Sequence, residues 1–515
     1  MKETQAKPLI CVPVCERSAG DLPGAIARAA ELADIIELRL DYLAVAELDR
    51  ALGQLNTLTG GTTRPFIITL RPAEQGGMRE IDSLNRIVFW LDCLGRDEAP
   101  NLLYDIEFDV ARVLMEKEGL DWNRIICSHH DFAGGQSNPE QLYQMMKGTP
   151  ARIIKIAVRA GDATDCLPVF NLMERARLEG RQLIAVAMGE AGIVTRIMGP
   201  SRGSFLTYGA LDKAHATAAG QSTAEELREL YRVQSITKET TVSGIMGSPV
   251  SHSVSPQMHN AALAASGSDA VYIPFEVLDA GSFLKRMAHP RSRELDWKLR
   301  GLSVTAPHKI SVMEHLDWIE PAAREIGAVN TIIVEGEELH GYNTDAVGFL
   351  SPLVKTCGVL SGKEVAIIGA GGAARSALWS LKRAGAKPAL FARDREKGER
   401  LAEEFGARSL ELEGAGFRDF EIVVNATPLG TFGSSEDETP AIASQLKGAR
   451  LAYDLIYNPR RTRFLLEAEK AGCETLTGLE MLIAQAAEQF RLWMKTDAPL
   501  EVMRAAATVA LERQD

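Results

Sequence analysis

The stretch RIIKIAV, from Arg152 to Val158, places a lysine inside an apolar run. If the run is a β-strand, Lys155 shares one face with Ile153 and Ala157, and Ile154, Ile156 and Val158 lie on the opposite face. Both faces are mostly apolar, so we predict a strand that is buried on both sides. A buried ammonium is costly unless it is paired or loses its proton. The alternatives to a chemical role are a buried ion pair, or a strand-end lysine whose ammonium reaches solvent.

Eight apolar, β-rich runs recur between residues 9 and 211, and RIIKIAV is the sixth of them. In chain order they read LICVPV, IIELRLDYL, FIITLR, LLYDIEF, IICSHHDF, RIIKIAV, LIAVAM and SFLTYGAL. Polar or helical segments separate them, such as IDSLNRIVFWLDCL, which has helical spacing of apolar residues and an aspartate near its start. Alternation of strand and helix predicts parallel pairing, and eight units over about 230 residues predict a closed (β/α)8 barrel. An open doubly wound sheet is the structural alternative.

Charged side chains lie in the later part of these strands. They are Glu37, Arg39 and Asp41 in the second strand, Arg71 at the end of the third, Asp105 and Glu107 in the fourth, His129, His130 and Asp131 in the fifth, Lys155 in the sixth, and Arg196 after the seventh. The carboxyl ends of barrel strands meet at one mouth, where barrel enzymes keep their active sites. A lysine among carboxylates, histidine and arginines is therefore a candidate nucleophile, whose neutral amine can attack a ketone to form a Schiff base.

Length and composition indicate the class of protein. The chain has 515 residues, which favours about three domains at about 150 residues each. Hydrophobic residues make up 46% and charged residues 24%, as is typical of a globular chain with packed cores. The formal net charge of −12 argues against a general nucleic-acid binder, which would present a basic surface.

Cysteine usage and apolar run length bear on location. The seven cysteines are odd in number and form no C-x-x-C pair, which is typical of reduced thiols in a cytoplasmic protein. The first residues, MKETQAKPLI, lack the charged-then-apolar pattern of a signal peptide. No apolar run approaches the ~18–20 residues needed to span a membrane. We therefore expect a soluble cytoplasmic protein without a membrane partner. The sequence does not indicate an oligomeric state.

The motifs ELRLD, ITLRPAEQGG, YDIEF, SHHDF, IKIAV and MGEAG, in this order, make residues 1–235 resemble type I 3-dehydroquinate dehydratase. The second motif is similar to a family pattern that ends in EGG. The resemblance implies that Lys155 forms an imine with the substrate ketone. It also implies that His130 moves the proton at C2 and assists loss of the C1 hydroxyl, and that Glu107 orients His130.

The same resemblance implies a set of substrate-binding residues, which are Glu37, Arg39, Arg71, Arg196, Thr217 and Gln221. The last two belong to TAAGQ, which is similar to the family's closing loop; Thr217 stands where serine is common, and Ala219 where proline is common. The chemistry agrees with these residue types, since an imine acidifies the adjacent carbon and an imidazole exchanges a proton near neutral pH. The structural alternative for His130 is a hydrogen-bonded core histidine.

The second half contains a glycine-rich turn between a strand and a helix, in KEVAIIGAGGAARSALWSL. Gly369, Gly371 and Gly372 let the backbone approach a phosphate, and the N-terminus of the helix favours the anion. The spacing is G-x-G-G-A-A rather than G-x-G-x-x-G, so the prediction depends on the strand before and the helix after. About twenty residues on, the strand PALFAR ends at Arg393, which suits the 2′-phosphate of NADP, although Asp394 follows directly.

Around this unit, HSVSPQMHN, VTAPHK, IGAVNTI, HGYNTD, NATPLGT, YDLIYNP and GLEMLIAQAAEQF make residues 240–515 resemble shikimate dehydrogenase. The resemblance implies the catalytic pair Lys309 and Asp345, for which a structural salt bridge is the alternative. The substrate-binding residues that it implies are Ser253, Ser255, Thr305, Asn330, Tyr457 and Gln485, and the NADP-binding residues are Gly369, Ala370, Gly371, Gly372, Ala373, Arg393, Asn425 and Thr427. Two departures are Ser303, where bacterial members often have asparagine, and GYNTD in place of GDNTD.

Together the resemblances imply an α/β chain with three domains: the barrel over 1–235, a shikimate-binding domain over 240–341 completed by 482–515, and a Rossmann-type NADP-binding domain over 342–481. They imply dehydration of 3-dehydroquinate to 3-dehydroshikimate and its reduction with NADPH to shikimate, without a metal, as in the plant dehydratase–dehydrogenase fusion. The alternatives are a quinate dehydrogenase activity in the second half, and a metabolite-sensing regulator on the same domains. The intact Lys155, His130, Lys309 and Asp345 argue against the regulator.

Overall fold

The computed structural model describes residues 7–96, 101–132, 138–217 and 220–513. Its contacts divide the chain into two compact units. The first contains Met1–Thr241 with Ile273–Met287 and Glu294–Lys298, and the second contains Val242–Tyr272, Ala288–Arg293 and Leu299–Asp515. The predicted boundaries of the three domains, at 235, 341 and 481, stay a prediction.

The first eight strands form one parallel sheet. They are β1 Leu9–Val14, β2 Ile35–Arg39, β3 Phe66–Thr69, β4 Leu102–Glu107, β5 Ile125–Asp131, β6 Ile153–Arg159, β7 Gln182–Met188 and β8 Leu206–Tyr208. The helices that alternate with them are α1 Leu22–Leu32, α2 Leu48–Gly53, α3 Leu55–Gly60, α4 Ser83–Arg96, α5 Phe108–Leu114, α6 Pro139–Met146, α7 Leu167–Leu178 and α8 Ile193–Met198. The strand order is β7-β6-β5-β4-β3-β2-β1-β8, and a parallel bridge between Leu183 and Ser204 nearly closes the sheet into a barrel.

The interior of the barrel is filled by side chains from every strand. One residue from each, in order, is Cys11, Ile35, Ile67, Leu103, Ile126, Ile153, Ile184 and Leu206. Ile153 and Ala157 both belong to this cluster, so Lys155 between them points into the barrel. The predicted (β/α)8 barrel is therefore confirmed, the open doubly wound sheet is not formed, and each of the eight predicted strands is present.

A second, mixed sheet follows the barrel. Its strands are β9 Thr241–Gly247, β10 Ala270–Glu276, β11 Lys298–Val304, β12 Trp318–Ile319, β13 Thr331–Glu335 and β14 Glu338–Tyr342, in the order β10-β9-β11-β13-β14-β12. The helices of this part are α9 Ser255–Ala265, α10 Ala280–Phe283, α11 Pro321–Ile326 and α12 Asp345–Cys357. Strand β13 is antiparallel to both β11 and β14, which distinguishes this sheet from the two parallel ones.

The third sheet is parallel and has the Rossmann order. Its strands are β15 Glu364–Ile368, β16 Lys387–Ala392, β17 Arg408–Glu411, β18 Ile422–Asn425, β19 Leu451–Asp454 and β20 Glu474–Leu476, ordered β17-β16-β15-β18-β19-β20. Its helices are α13 Gly372–Arg383, α14 Arg395–Glu404, α15 Ala443–Leu446 and α16 Arg463–Ala471, and the chain ends with α17 Gly478–Met494 and α18 Leu500–Glu512. This order reverses between β15 and β18, and dinucleotides bind beside such a reversal.

The last two helices pack back onto the second sheet. Ile245 and Met258 share a buried cluster with Phe490, Met503 and Leu511. A helix that starts some 230 residues after β9 therefore supplies part of the core beside the second sheet. Among the described residues, no helix has the length and apolar character needed to cross a membrane.

Candidate active sites

Lys155 is buried inside the barrel and is held by two neighbours. Its Nζ donates hydrogen bonds to Asp105 Oδ2 at 2.7 Å and to the hydroxyl of Tyr208 at 2.8 Å, and it lies 3.6 Å from Glu37 Oε1. Only 5% of Lys155 is exposed. Burial alone would raise the pKa of Asp105, but Arg71 and Lys155 hold it well below its usual range, so this carboxylate stays ionised.

A network of buried ion pairs extends from Asp105 through Arg71 and Glu107 to Arg86. Arg71 contacts Asp105 Oδ1 at 2.7 Å and Glu107 Oε1 at 2.8 Å, and Arg86 contacts Glu107 Oε2 at 3.3 Å. Burial raises the pKa of Glu107 to about 7 against the lowering effect of Arg71. The two arginines engage both oxygens of Glu107, and within the described part of the chain this glutamate makes no hydrogen bond to His130. The predicted role of Glu107 in orienting His130 stays a prediction, and these contacts place Arg71 and Arg86 directly on its carboxylate.

His130 faces the same cavity as Lys155. Its Nδ1 is buried and has no hydrogen-bond partner among the described residues. Burial, with the positive charges of Arg71 and Lys155, holds the pKa of His130 well below its ordinary value. The imidazole is therefore neutral, and its buried Nδ1 lacks the hydrogen bond that a structural core histidine would make at that atom. Gln75 holds the strand here, since its Oε1 accepts a hydrogen bond from the His130 backbone nitrogen at 3.0 Å.

The predicted substrate-binding residues line this one cavity. Its lining includes Glu37, Arg39, Arg71, His130, Lys155, Arg196, Thr217 and Gln221, and not Glu107. Thr217 and Gln221 contact each other, since Gln221 Oε1 accepts from Thr217 nitrogen at 2.8 Å and from Thr217 Oγ1 at 3.0 Å. Ala219, between them, lies outside the described residues.

Two of the arginines in this cavity differ in how they are paired. Arg39 makes a double hydrogen bond to Asp41, at 2.9 and 2.8 Å. Arg196 donates to the carbonyl of Ala187 at 3.0 Å and has no carboxylate partner among the described residues. Burial lowers the pKa of Arg196 to about 10, so it remains a cation at neutral pH. A buried guanidinium that lacks an anion is a site for a substrate carboxylate.

Sequence reasoning missed the two polar residues of this cavity that remain, Gln75 and Tyr208. Gln75 stands at the first position of the family's EGG pattern, and that mismatch was a usable signal. Tyr208 is the last residue of β8 and shares the inward face with Leu206, two residues earlier, which places it inside the barrel at the carboxyl end of a strand. An aromatic residue in a short apolar run nevertheless resembles ordinary core packing.

The second site is built around Lys309 and Asp345. Lys309 Nζ donates to Asp345 Oδ2 at 2.5 Å, and Asn330 Nδ2 donates to Asp345 Oδ1 at 2.8 Å. Asp345 begins α12, and Asn330 lies directly before β13. Asn330 is itself held in place, since its Oδ1 accepts a hydrogen bond from the Thr344 backbone nitrogen at 2.7 Å. Lys309 and Asn330 thus each bind one oxygen of the Asp345 carboxylate.

The predicted substrate residues surround this pair in a cavity of about 660 Å³. Its lining includes Ser253, Ser255, Thr305, Lys309, Asn330, Asp345, Ala373, Tyr457 and Gln485. Ser303 also lines it, donating to Gln489 Oε1 at 2.8 Å and accepting from the Tyr272 hydroxyl at 2.7 Å. Gln489, one turn after Gln485 on α17, was missed because its position in an apolar helix resembles core packing.

The glycine-rich turn provides a cradle that fits a dinucleotide phosphate. Gly369 has φ +117°, and a Cβ there would lie 2.7 Å from the carbonyl oxygen of Ala426, so a side chain would clash. Gly371 precedes α13 and supplies no side-chain cap, which leaves the first backbone N–H groups of the helix open to an anion. A Cβ added at Gly372 would lie 3.9 Å from Cδ of Lys309, so the turn adjoins the second site.

The other predicted cofactor residues lie at the carboxyl ends of neighbouring strands. Ala370 lies within the turn after β15, and Asn425 ends β18, where its Oδ1 accepts from Thr427 nitrogen at 2.9 Å and Oγ1 at 2.7 Å. Arg393 is exposed and follows β16, which ends one residue earlier than expected. Asp394 caps α14 by accepting from Lys397 nitrogen at 3.1 Å. The Asp394 carboxylate is thus engaged by the helix, and Arg393 has no ion-pair partner among the described residues.

Three family models match the chain. The model for type I 3-dehydroquinase matches residues 10–238. The shikimate dehydrogenase substrate binding domain matches residues 245–332, and the shikimate 5′-dehydrogenase C-terminal domain matches residues 478–508. The matches therefore fall on the barrel, on the part of the second sheet from β9 to the start of β13, and on α17 and α18.

Curated proteins and solved structures agree with these matches. The chain is 39% identical to the shikimate dehydrogenase (NADP+) of Moorella thermoacetica, over 51% of this chain and 91% of that protein. A crystal structure of a shikimate dehydrogenase in complex with NADP+ is 37% identical, with a TM-score of 0.50 over 53% of this chain and 96% of that one. The chloroplastic bifunctional 3-dehydroquinate dehydratase/shikimate dehydrogenase of Arabidopsis thaliana is 34% identical, over 96% of this chain and 83% of that protein. This chain belongs to the family of bifunctional 3-dehydroquinate dehydratase/shikimate dehydrogenases.

Proposed function

We propose that the chain catalyses two consecutive reactions of the shikimate pathway. The barrel dehydrates 3-dehydroquinate to 3-dehydroshikimate, and the second half reduces that product with NADPH to shikimate. The observation that supports the first reaction best is one cavity lined by Lys155, by the neutral imidazole of His130 and by Arg196, which has no carboxylate partner among the described residues. These are a nucleophile, a base and a carboxylate binder, as a keto acid requires.

The dehydration proceeds through an imine on Lys155. Nζ replaces the ketone oxygen, which leaves as water, and the resulting iminium acidifies the adjacent C2. His130 removes the C2 proton because its imidazole is neutral and faces the cavity. The electron pair from the C–H bond then expels the C1 hydroxyl, which takes that proton and leaves as water. Hydrolysis of the imine releases the product and restores Lys155.

In the barrel, the carboxylate and the hydroxyls of the substrate are bound by different residues. The carboxylate pairs with Arg196, whose buried guanidinium contacts no carboxylate within the described part of the chain. Glu37, Arg39 and Arg71 present charged groups suited to hydroxyls, while Thr217 and Gln221 contact each other at the edge of the cavity. In this proposal Glu107 acts at a distance, holding Arg71 in place rather than touching His130.

The reduction depends on Lys309 and Asp345. NADPH, when bound, supplies the hydride. The ammonium of Lys309, held by Asp345, stabilises the negative charge that develops on the ketone oxygen and donates the proton that completes the alcohol. Ser253, Ser255, Thr305, Asn330, Tyr457 and Gln485 hold the substrate, whereas Gly369, Ala370, Gly371, Gly372, Ala373, Asn425 and Thr427 hold the cofactor.

A coupled assay tests the whole proposal. The purified chain, supplied with 3-dehydroquinate and NADPH, should oxidise NADPH and form shikimate, which is identified by mass spectrometry against a standard. Adding 3-dehydroshikimate directly should give the same product without the first step. If 3-dehydroshikimate accumulates and NADPH is not oxidised, the proposed second activity is wrong.

Lys309→Met should slow the reduction of 3-dehydroshikimate by about 10²–10³-fold in kcat, because one preorganised donor to a developing oxyanion contributes roughly that factor. Dehydration by the same variant should be unchanged. The matched control is Lys355→Met, which removes an exposed lysine from α12 and should leave both activities intact. A normal kcat for Lys309→Met would contradict the catalytic role and indicate that the Lys309–Asp345 pair is a structural salt bridge.

Arg393→Ala should lower kcat/KM for NADPH by roughly tenfold to hundredfold and leave NADH nearly unchanged, because it removes a charged hydrogen bond to the 2′-phosphate. The wild type should prefer NADPH. Arg395→Ala is the matched control, since Arg395 is exposed but already paired with Glu399 at 2.8 Å. If the wild type uses NADH equally well, or if Arg393→Ala weakens both cofactors together, this assignment is wrong.

We also propose the domain limits given by the motifs: 1–235, 240–341 with 482–515, and 342–481. The cluster that joins Ile245 to Leu511 supports the return of the chain to the substrate-binding lobe. A cytoplasmic location is proposed on the seven cysteines, which are all free, as expected in a reducing compartment.

A further inference from the structure

Tyr208 is in direct contact with the nitrogen of Lys155. Its hydroxyl oxygen lies 2.8 Å from Nζ, and Nζ lies 4.4 Å from the centre of the ring. Tyr208 lines the cavity that contains His130, and only 8% of it is exposed. The structure therefore places a phenol hydroxyl at the atom that forms the imine.

The oxygens that accept hydrogen bonds from Lys155 Nζ differ in whether they can also donate one. Asp105 is an ionised carboxylate, which accepts hydrogen bonds and cannot donate one. Burial, reinforced by Glu37, raises the pKa of Tyr208 well above its ordinary value, so its hydroxyl keeps its proton. A phenol hydroxyl both accepts and donates. Of the two groups that accept hydrogen bonds from Nζ in the described residues, Tyr208 is thus the one that can also donate.

We propose that Tyr208 is a catalytic residue of imine formation, donating a hydrogen bond to the substrate ketone oxygen while Lys155 adds to the carbonyl carbon. This inference rests on the proposed Schiff-base role of Lys155. The ketone oxygen is bonded to the carbon that Nζ attacks, so it comes close to a hydroxyl that lies 2.8 Å from Nζ, and rotation about the phenol C–O bond directs the proton toward it.

The step balances without a further reactant. The N–C bond forms as the C=O π bond breaks, and that electron pair moves to oxygen, where the Tyr208 hydrogen bond stabilises it. Two of the three ammonium protons pass to this oxygen, which leaves as water when the C–O bond breaks, and the nitrogen lone pair completes the iminium. The third proton stays on nitrogen, and Tyr208 ends the step in the protonation state in which it began.

Tyr208→Phe tests the proposal because it removes the hydroxyl and keeps the ring. The enzyme is mixed with saturating 3-dehydroquinate, quenched with borohydride after increasing times, and assayed by mass for the reduced adduct on Lys155. We expect the adduct to form roughly tenfold to hundredfold more slowly than in the wild type, with little change in KM or melting temperature. Tyr143→Phe is the matched control, since it deletes the hydroxyl of another buried barrel tyrosine, which contacts Glu179 at 2.9 Å outside the cavity.

The outcomes separate this inference from the proposal on which it rests. No adduct in active wild type contradicts the role of Lys155 itself. Wild-type adduct formation by a folded Tyr208→Phe overturns the role of Tyr208, as does a lower melting temperature with an unchanged rate. Site-specific 3-fluorotyrosine at position 208 retains both ring and hydroxyl and should form the adduct at the wild-type rate or faster. Slow formation there would also overturn the proposal.

Discussion

Lys155→Ala should abolish dehydration of 3-dehydroquinate and leave reduction of 3-dehydroshikimate intact. The amine at this position is the proposed nucleophile, and the barrel and the dehydrogenase half have separate hydrophobic cores. In the wild type, borohydride with 3-dehydroquinate should attach the ligand covalently to Lys155, as located by peptide mass spectrometry. Labelling at another lysine, or an active enzyme that gives none, would contradict the assignment.

Two further variants separate chemistry from stability. Removing the ammonium leaves Asp105 with Arg71 as its remaining cation, and breaking a buried ion pair costs about 3–5 kcal/mol. Lys155→Arg restores a positive charge but cannot form an imine, so it should also be inactive in dehydration and more stable than Lys155→Ala. The surface variant Lys147→Ala should keep full activity, since that lysine lies outside the cavity.

His130→Ala should slow dehydration by at least the ~10²–10⁴-fold that general acid–base catalysis contributes. The fold should persist, because the lost side chain has an unpaired Nδ1 and leaves no broken hydrogen bond at that atom. The measurement is kcat for 3-dehydroshikimate formation, followed by product absorbance, with a thermal unfolding curve as the check on folding.

His129→Ala is the matched control for His130, since it removes the neighbouring imidazole, which does not line the cavity. It should retain most of the activity. If instead His130→Ala is fully active and His129→Ala is not, the catalytic histidine is His129. The wild-type rate should show no loss with a midpoint near 6.5 as pH falls, because the pKa of His130 lies well below that value and the base stays neutral.

The sequence predicted the barrel well because its evidence is local. Each strand is a short apolar run, and alternation within β6 is enough to place Lys155 on the same face as Ile153 and Ala157. The glycine turn was likewise readable, since strand, turn and helix follow directly in KEVAIIGAGGAARSALWSL. Such features depend on neighbours in the chain, and periodicity records them.

Contacts between side chains that are far apart in the sequence could not be predicted in the same way. The strand pattern placed Glu107 near the mouth but could not show that Arg71 and Arg86 engage both of its oxygens. Its predicted role in orienting His130 therefore stays a prediction. Tyr208 was missed for a similar reason: its contact with Lys155 joins β8 to β6, which lie 53 residues apart in the sequence. Partner choice depends on side-chain direction and competing charges, which spacing does not specify.

The return of α17 and α18 to the second sheet has a consequence for synthesis on the ribosome. Domains generally fold in the order in which they emerge, at about 5–20 residues per second. Every strand of the barrel emerges before residue 210, whereas the buried cluster around Ile245 is not complete until Leu511 is made. For roughly ten seconds to a minute, a nascent chain with a complete barrel exposes the apolar face that α17 and α18 later cover. Nascent-chain aggregation and chaperone engagement should therefore concentrate on the dehydrogenase half, whose substrate cavity is the last part of the molecule to be finished.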